Sequence, residues 1–188
     1  MSRKKKIQIA LTVNGRNHEL CVRPNAVLLH TLRELGYTDV KNGCEIGECG
    51  ACAVLMNGQA VNSCMVLTIQ ADGVEIVTNA GLGTTGRPHP IQEAFADAGA
   101  VQCGFCTPGM VISAKALLDR NPDPSEEEIR VGLSGNLCRC TGYGQIVSAV
   151  HLAAERLREL ASRPSSSQDK ERQETAPAEG ISSHEVCD

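Results

Sequence analysis

Ten cysteines in a chain of 188 residues are the groups with the most chemistry to offer. One set reads Cys44-Glu-Ile-Gly-Glu-Cys49-Gly-Ala-Cys52, with Cys64 further on. A second reads Gln102-Cys103-Gly-Phe-Cys106-Thr-Pro-Gly109 and Gly135-Asn-Leu-Cys138-Arg-Cys140-Thr-Gly-Tyr143. Closely spaced thiols pair as disulfides, hold zinc, or hold iron with inorganic sulfide. Disulfides suit an exported chain. Here the basic start Met1-Ser-Arg-Lys-Lys-Lys6 leads into alternating residues, without the apolar run or small-residue cleavage site of an export signal. Metal ligation fits better.

The spacing separates the metals at the first set. C-x4-C-x2-C with one distant cysteine is the plant-type 2Fe–2S pattern, whereas zinc favours paired C-x2-C knuckles. A centre of sulfides and thiolates needs inward N–H donors and a tightly wrapped chain. Gly43, Gly47 and Gly50 are expected to take the positive φ values this demands. The second set alone, C-x2-C with C-x-C, stays open between zinc and iron–sulfur. Each of its pairs falls at a helix end, where free N–H groups favour an anion, and beside the first set the iron–sulfur reading gains. The expectation is two 2Fe–2S clusters, one on Cys44, Cys49, Cys52 and Cys64, the other on Cys103, Cys106, Cys138 and Cys140.

Such ligands need a scaffold, and two hydrophobic periods supply it. Residues 7–13 and 18–23 alternate around Asn14-Gly15, a favoured hairpin turn. Asn25 is placed to cap a helix over 26–35, whose leucines share one side before Gly36. A second hairpin is expected at 53–56 and 59–62 around Asn57-Gly58, and a last strand at 74–78. From Pro90 the period becomes helical, with helices expected at 91–98, 107–120, 126–133 (capped by Ser125) and 145–160. The domains are read as 1–84 and 85–162. The Pro-, Ser- and Glu-rich remainder, 163–188, is expected to be a disordered tail.

Composition sets the outer limits. There is no Trp, with two Phe and two Tyr, so a core poor in aromatics calls for staples. A net charge of −4 offers no basic field for nucleic acid, and no stretch reaches membrane-spanning length. The chain is expected to be soluble and cytoplasmic. Gly81-Leu-Gly-Thr-Thr-Gly86 matches a dinucleotide fingerprint, but Arg87-Pro-His-Pro90 follows where a helix should open, so it reads as a linker. Cys21 alternates along a strand and reads as a core thiol, Cys187 as a free thiol of the tail. The five histidines share no ligand spacing, and Glu45 and Glu48 read as solvated loop charges.

Taken together, Gly47-Glu-Cys-Gly-Ala-Cys52, Gln102-Cys-Gly-Phe-Cys-Thr-Pro-Gly-Met110 and Gly135-Asn-Leu-Cys-Arg-Cys-Thr-Gly-Tyr143 closely resemble the iron–sulfur subunit of the xanthine oxidase (molybdenum hydroxylase) family, over about residues 7–160. The resemblance implies an α+β chain: a β-grasp 2Fe–2S ferredoxin-like domain, then an all-α four-helix 2Fe–2S domain. It implies that Gln102 meets the pterin edge and that Cys140 is the ligand closest to a molybdopterin on a large partner subunit. The first cluster would pass electrons towards FAD on a further subunit. The implied function is electron relay, with no catalytic centre on this chain and a purine or N-heteroaromatic as substrate of the complex. An aldehyde- or carbon monoxide-oxidising complex, a free-standing two-cluster ferredoxin and a zinc-stapled module are the alternatives.

Overall fold

The computed structural model describes residues 6–162. The tail expected at 163–188 and Cys187 lie outside the described residues. Strands β1 (Ile7–Val13) and β2 (Arg16–Val22) form the first hairpin, β3 (Ala53–Met56) and β4 (Gln59–Asn62) the second. Each turns on the expected Asn-Gly pair: φ is 51° and 76° at Asn14 and Gly15, 48° and 80° at Asn57 and Gly58. Those left-handed turns match the twist of the strands they join. Strand β5 (Glu75–Val77) lies parallel to β1 and antiparallel to β3, giving the order β2-β1-β5-β3-β4.

Alternation along β1 turns Ile9, Leu11 and Val13 to one face. Helix α1 (Leu28–Glu34) lays Leu28, Leu29 and Leu32 across it, each fully buried with Val54 and Ile76. Burial is worth about 1.5–3 kcal/mol for each such leucine, which holds a helix too short to persist alone. This is the expected β-grasp arrangement. The helix starts later than expected, and Asn25 does not cap it. The reason is tertiary: Ala26 O accepts from Thr68 N at 2.8 Å and Leu28 N donates to Val66 O at 2.9 Å, so this stretch joins a β-bridge to Leu67.

A single helical turn, α2 (Asn79–Leu82), and a Thr84–Arg87 bridge connect the halves. No helix opens at Gly86, as the linker reading required. The second half packs α3 (Pro90–Asp97), α4 (Thr107–Arg120), α5 (Glu126–Gly132) and α6 (Gly144–Ser162) around Phe95, Met110, Ile129, Ile146 and Val150. Ser125 caps α5 as expected: its Oγ accepts from Glu128 N at 3.3 Å, and the Glu128 carboxylate accepts from Ser125 N at 2.7 Å. The chain is thus α+β, a ferredoxin-like half followed by four helices. Among the described residues no helix is long and apolar enough to cross a membrane.

Cys21 departs from its expected role. It is half-buried on β2 and lines a groove of about 820 Å³ against α1 with Glu19, Arg23 and His30. The physical reason is position: β2 is an edge strand, so its inner face is only partly covered.

The halves meet on small residues. Ala53 and Leu55 of β3 pack on Ile112 and Ala116 of α4. A Cβ at Gly109, in the first turns of α4, would stand 2.2 Å from Gly50 O. Gly to Ala inside a helix ordinarily stabilises by about 1 kcal/mol. Here the clash is with backbone and the sign should reverse. Gly109→Ala is expected to destabilise by about 1–3 kcal/mol, seen as a lowered denaturant midpoint; an unchanged or raised midpoint would contradict this close approach.

Candidate metal centres

The loop at 43–52 wraps its thiols with backbone. Gly47 (φ 81°) and Gly50 (φ 66°) take the expected left-handed conformation. Gly43 does not, and Glu45 (φ 58°) carries the other left-handed turn. Gly43 serves by having no side chain, since a Cβ there would stand 2.8 Å from Cys49 Sγ. The turn aims the Ile46 N–H at Cys44 Sγ, 3.5 Å away. That N–H, the N–H and thiol of Cys49 and the Glu48 N–H hold the Cys44 pKa at about 6. Glu45 accepts from Asn42 at 2.6 Å and lies 3.4 Å from His30 Nε2, exposed to solvent as a loop charge.

Cys64 reaches this loop through the second hairpin. It sits in the 3₁₀ turn Ser63–Met65 directly after β4. Ser63 donates to Cys52 O through its N–H (3.3 Å) and its Oγ (2.8 Å). The two thiols thereby come within hydrogen-bonding reach, and burial together with Cys52 pushes the Cys64 pKa up to about 11.

The second set gathers at helix ends. Cys106 is the N-cap residue of α4, and Cys138 and Cys140 lie between α5 and α6. Cys140 Sγ is 3.5 Å from Cys103 Sγ, while the Cys106 thiol meets Cys138. Burial and the Cys138 neighbour push the Cys106 pKa up to about 12. Burial acts upward on Cys138 too, but the hydroxyl and N–H of Thr141 and the Cys140 N–H outweigh it and hold Cys138 at about 7. The Phe105 N–H and the Cys140 thiol lower the Cys103 pKa, and the Cys140 pKa is raised by that same contact with Cys103.

The eight expected residues meet in twos: Cys44 with Cys49, Cys52 with Cys64, Cys103 with Cys140, and Cys106 with Cys138. Among the described residues no three Cys, His, Asp or Glu side chains converge as ligands of one ion. Two thiol pairs in each loop supply the four cysteines that would hold a 2Fe–2S cluster there. The residues present fit that group. Gln102 is exposed beside Cys103, and Cys140 is exposed as well.

Thr141 and Tyr143 were given no role from the sequence, although both stand in the second motif. Thr141 Oγ1 is 3.1 Å from Cys138 Sγ, and the Tyr143 hydroxyl accepts from Cys138 N at 2.9 Å. The two sites also touch each other directly. Leu137 N donates to Cys49 O at 2.9 Å, and Asn136 Nδ2 donates to Gly50 O at 3.1 Å.

Comparison with known proteins agrees with this layout. A family model for the 2Fe–2S iron–sulfur cluster binding domain matches residues 11–76, and one for a [2Fe–2S] binding domain matches residues 78–151. The nicotinate dehydrogenase small FeS subunit of Eubacterium barkeri is 55% identical over 152 residues, 80% of this chain and 97% of that protein. The xanthine dehydrogenase iron-sulfur-binding subunit of Escherichia coli is 47% identical over 152 residues, 80% of this chain and 96% of that one. Quinoline 2-oxidoreductase from Pseudomonas putida 86 contains a chain of the same fold, with a TM-score of 0.78 and 42% identity over 82% of this chain and 98% of that chain. The chain belongs to the small iron–sulfur subunits of the molybdenum hydroxylase (xanthine oxidase) family, and it is an electron-transfer component of an oxidoreductase with two 2Fe–2S-binding domains.

Gly43→Ala gives a local test of the first site. The added methyl would press on Cys49 Sγ, so iron content is expected to fall towards half while the second site keeps its absorbance and EPR signal. Full iron in this variant would mean that Cys49 is not held there as a ligand.

Proposed function

We propose that this chain relays electrons out of a heteromeric hydroxylase acting on an N-heteroaromatic ring, of the nicotinate or purine kind. Molybdopterin would sit on a large partner subunit and FAD on a further one. Nicotinate, xanthine and quinoline, named in the relatives above, are all nitrogen heteroaromatic rings, which supports the substrate class. The observation that carries the relay reading is the two sets of paired thiols in adjoining loops, bridged by the Leu137–Cys49 hydrogen bond. When bound, 2Fe–2S clusters supply one-electron exchange, and the bond chemistry belongs to the partner's cofactor.

The residues of this chain would hold and shield those groups. Cys44, Cys49, Cys52 and Cys64 would ligate the cluster nearer the flavin. Cys103, Cys106, Cys138 and Cys140 would ligate the one nearer the pterin, with the boundary between their domains at about residue 84. Gln102 would bond the pterin edge, and Cys140 would be the ligand facing it; the exposure of both supports this, because a partner subunit must reach them. Exposed Val101, Phe105 and Leu137 beside this site, and exposed Ile46 and Met65 beside the other, would be covered in the complex. A cytoplasmic complex is part of the same proposal, because reduced thiols persist there.

Two measurements test this reading. Native mass spectrometry of the isolated complex should find a large molybdopterin-bearing chain and a flavin-bearing chain, with nicotinate or a purine turned over. A chain isolated alone and fully active as a carrier would contradict it. Cys140→Ser should abolish one EPR-active centre and Cys44→Ser the other, each leaving about half the iron in place, as expected for clusters with four cysteine ligands each. Both signals unchanged in either variant would break the ligand assignment.

A further inference from the structure

We infer that Thr141 is a positioning residue that sets the reduction potential of the helical-domain centre by donating its hydroxyl proton to the Cys138 sulfur. The inference rests on the proposed ligation by Cys138. Direction follows from the partners of one oxygen. Thr141 Oγ1 lies 3.2 Å from Tyr143 N, and an N–H can only donate, so the oxygen accepts there. Its own proton then points to Cys138 Sγ at 3.1 Å, and a sulfur bound to iron has no proton to give.

Tyr143 holds this geometry in place. Its φ of 69° is left-handed, unusual for a residue with a side chain, and turns its N–H back onto Thr141. Its ring packs against the helical core, and its hydroxyl accepts from Cys138 N at 2.9 Å and donates to Asn136 O at 3.5 Å. The ring of contacts Cys138–Thr141–Tyr143 is therefore closed, with the hydroxyl on the sulfur. A reduced centre carries one more negative charge than an oxidised one. A hydrogen bond to its thiolate stabilises the reduced form more and raises the potential. On the other loop the donors to Cys44 are the backbone N–H groups of Ile46, Cys49 and Glu48 and the thiol of Cys49, itself a proposed ligand. Thr141 is a side-chain donor that substitution can delete, the acceptor of Tyr143 N going with it, while Thr141→Ser retains both contacts.

The test is a potentiometric titration of the intact complex followed by EPR, with iron content measured alongside. Thr141→Val keeps the shape and loses the hydroxyl, whereas Thr141→Ser keeps the hydroxyl. In Thr141→Val the midpoint of one signal should fall by about tenfold in the reduction equilibrium, about 59 mV for one electron. The other signal should not move, and Thr141→Ser should restore the value. Unchanged midpoints in Thr141→Val with full iron would overturn the inference, as would equal shifts in both variants. If Thr141→Val loses iron, Thr141→Ala carries the titration; loss of the centre there too, with Thr141→Ser intact, would overturn tuning in favour of a structural role. Cys138→Ser distinguishes failure of the ligand reading itself, since both signals surviving in that variant would remove the premise.

Discussion

Sulfurs crowded in twos cannot all carry charge, and both loops are built around that conflict. At the first site the Cys44 pKa is held at about 6 while that of Cys64 is driven to about 11. At the second, Cys138 is held at about 7 and Cys106 pushed to about 12. Without a metal, backbone and side-chain donors can stabilise only part of the charge, and the partly buried thiols of Cys64 and Cys106 keep their protons. Metal binding must therefore displace protons and supply the positive charge that lets four thiolates coexist. Ligand position, loop conformation and small-residue packing follow from that requirement.

The same requirement shapes the junction. A loop that spends its N–H groups on sulfur has carbonyls left over, and here those carbonyls tie the halves together. Cys49 O accepts from Leu137, the neighbour of Cys138, and Gly50 O accepts from the buried Asn136 side chain. Gly109 must lack a side chain for α4 to approach Gly50 O. The distance between the two centres is thus set by hydrogen bonds between the ligand loops themselves. A surface linker such as 83–89 could not fix it so closely.

Much of this was legible in the residues, for reasons that are themselves physical. Asn-Gly dipeptides specify a turn whose φ values few other pairs tolerate, so both hairpins could be placed from sequence. Ser125 with Glu128 is a local signal and located α5. What failed depended on tertiary contacts. Asn25 lost its cap because Ala26 and Leu28 bond to a segment forty residues away, Thr68 and Val66. Cys21 alternates like a core residue but lies on an edge strand. Gly43 was read through its φ, although its service is space for the Cys49 sulfur.

The two sites also differ in what makes them readable. The first draws its donors mainly from the backbone, so its requirements fall on spacing and glycines, and C-x4-C-x2-C alone separates it from zinc. The second adds side chains to the backbone N–H groups of Phe105, Cys140 and Thr141: Thr141 Oγ1 lies 3.1 Å from Cys138 Sγ, and the Tyr143 hydroxyl accepts from Cys138 N. Its cysteine spacing was therefore ambiguous, because part of the specification lies in residues that carry no metal. The first site is constrained by the φ values of Gly47 and Gly50 and, at Gly43, by the need for no side chain. The second site, where a hydroxyl meets one sulfur, is the one whose proposed ligands Cys103 and Cys140 stand exposed.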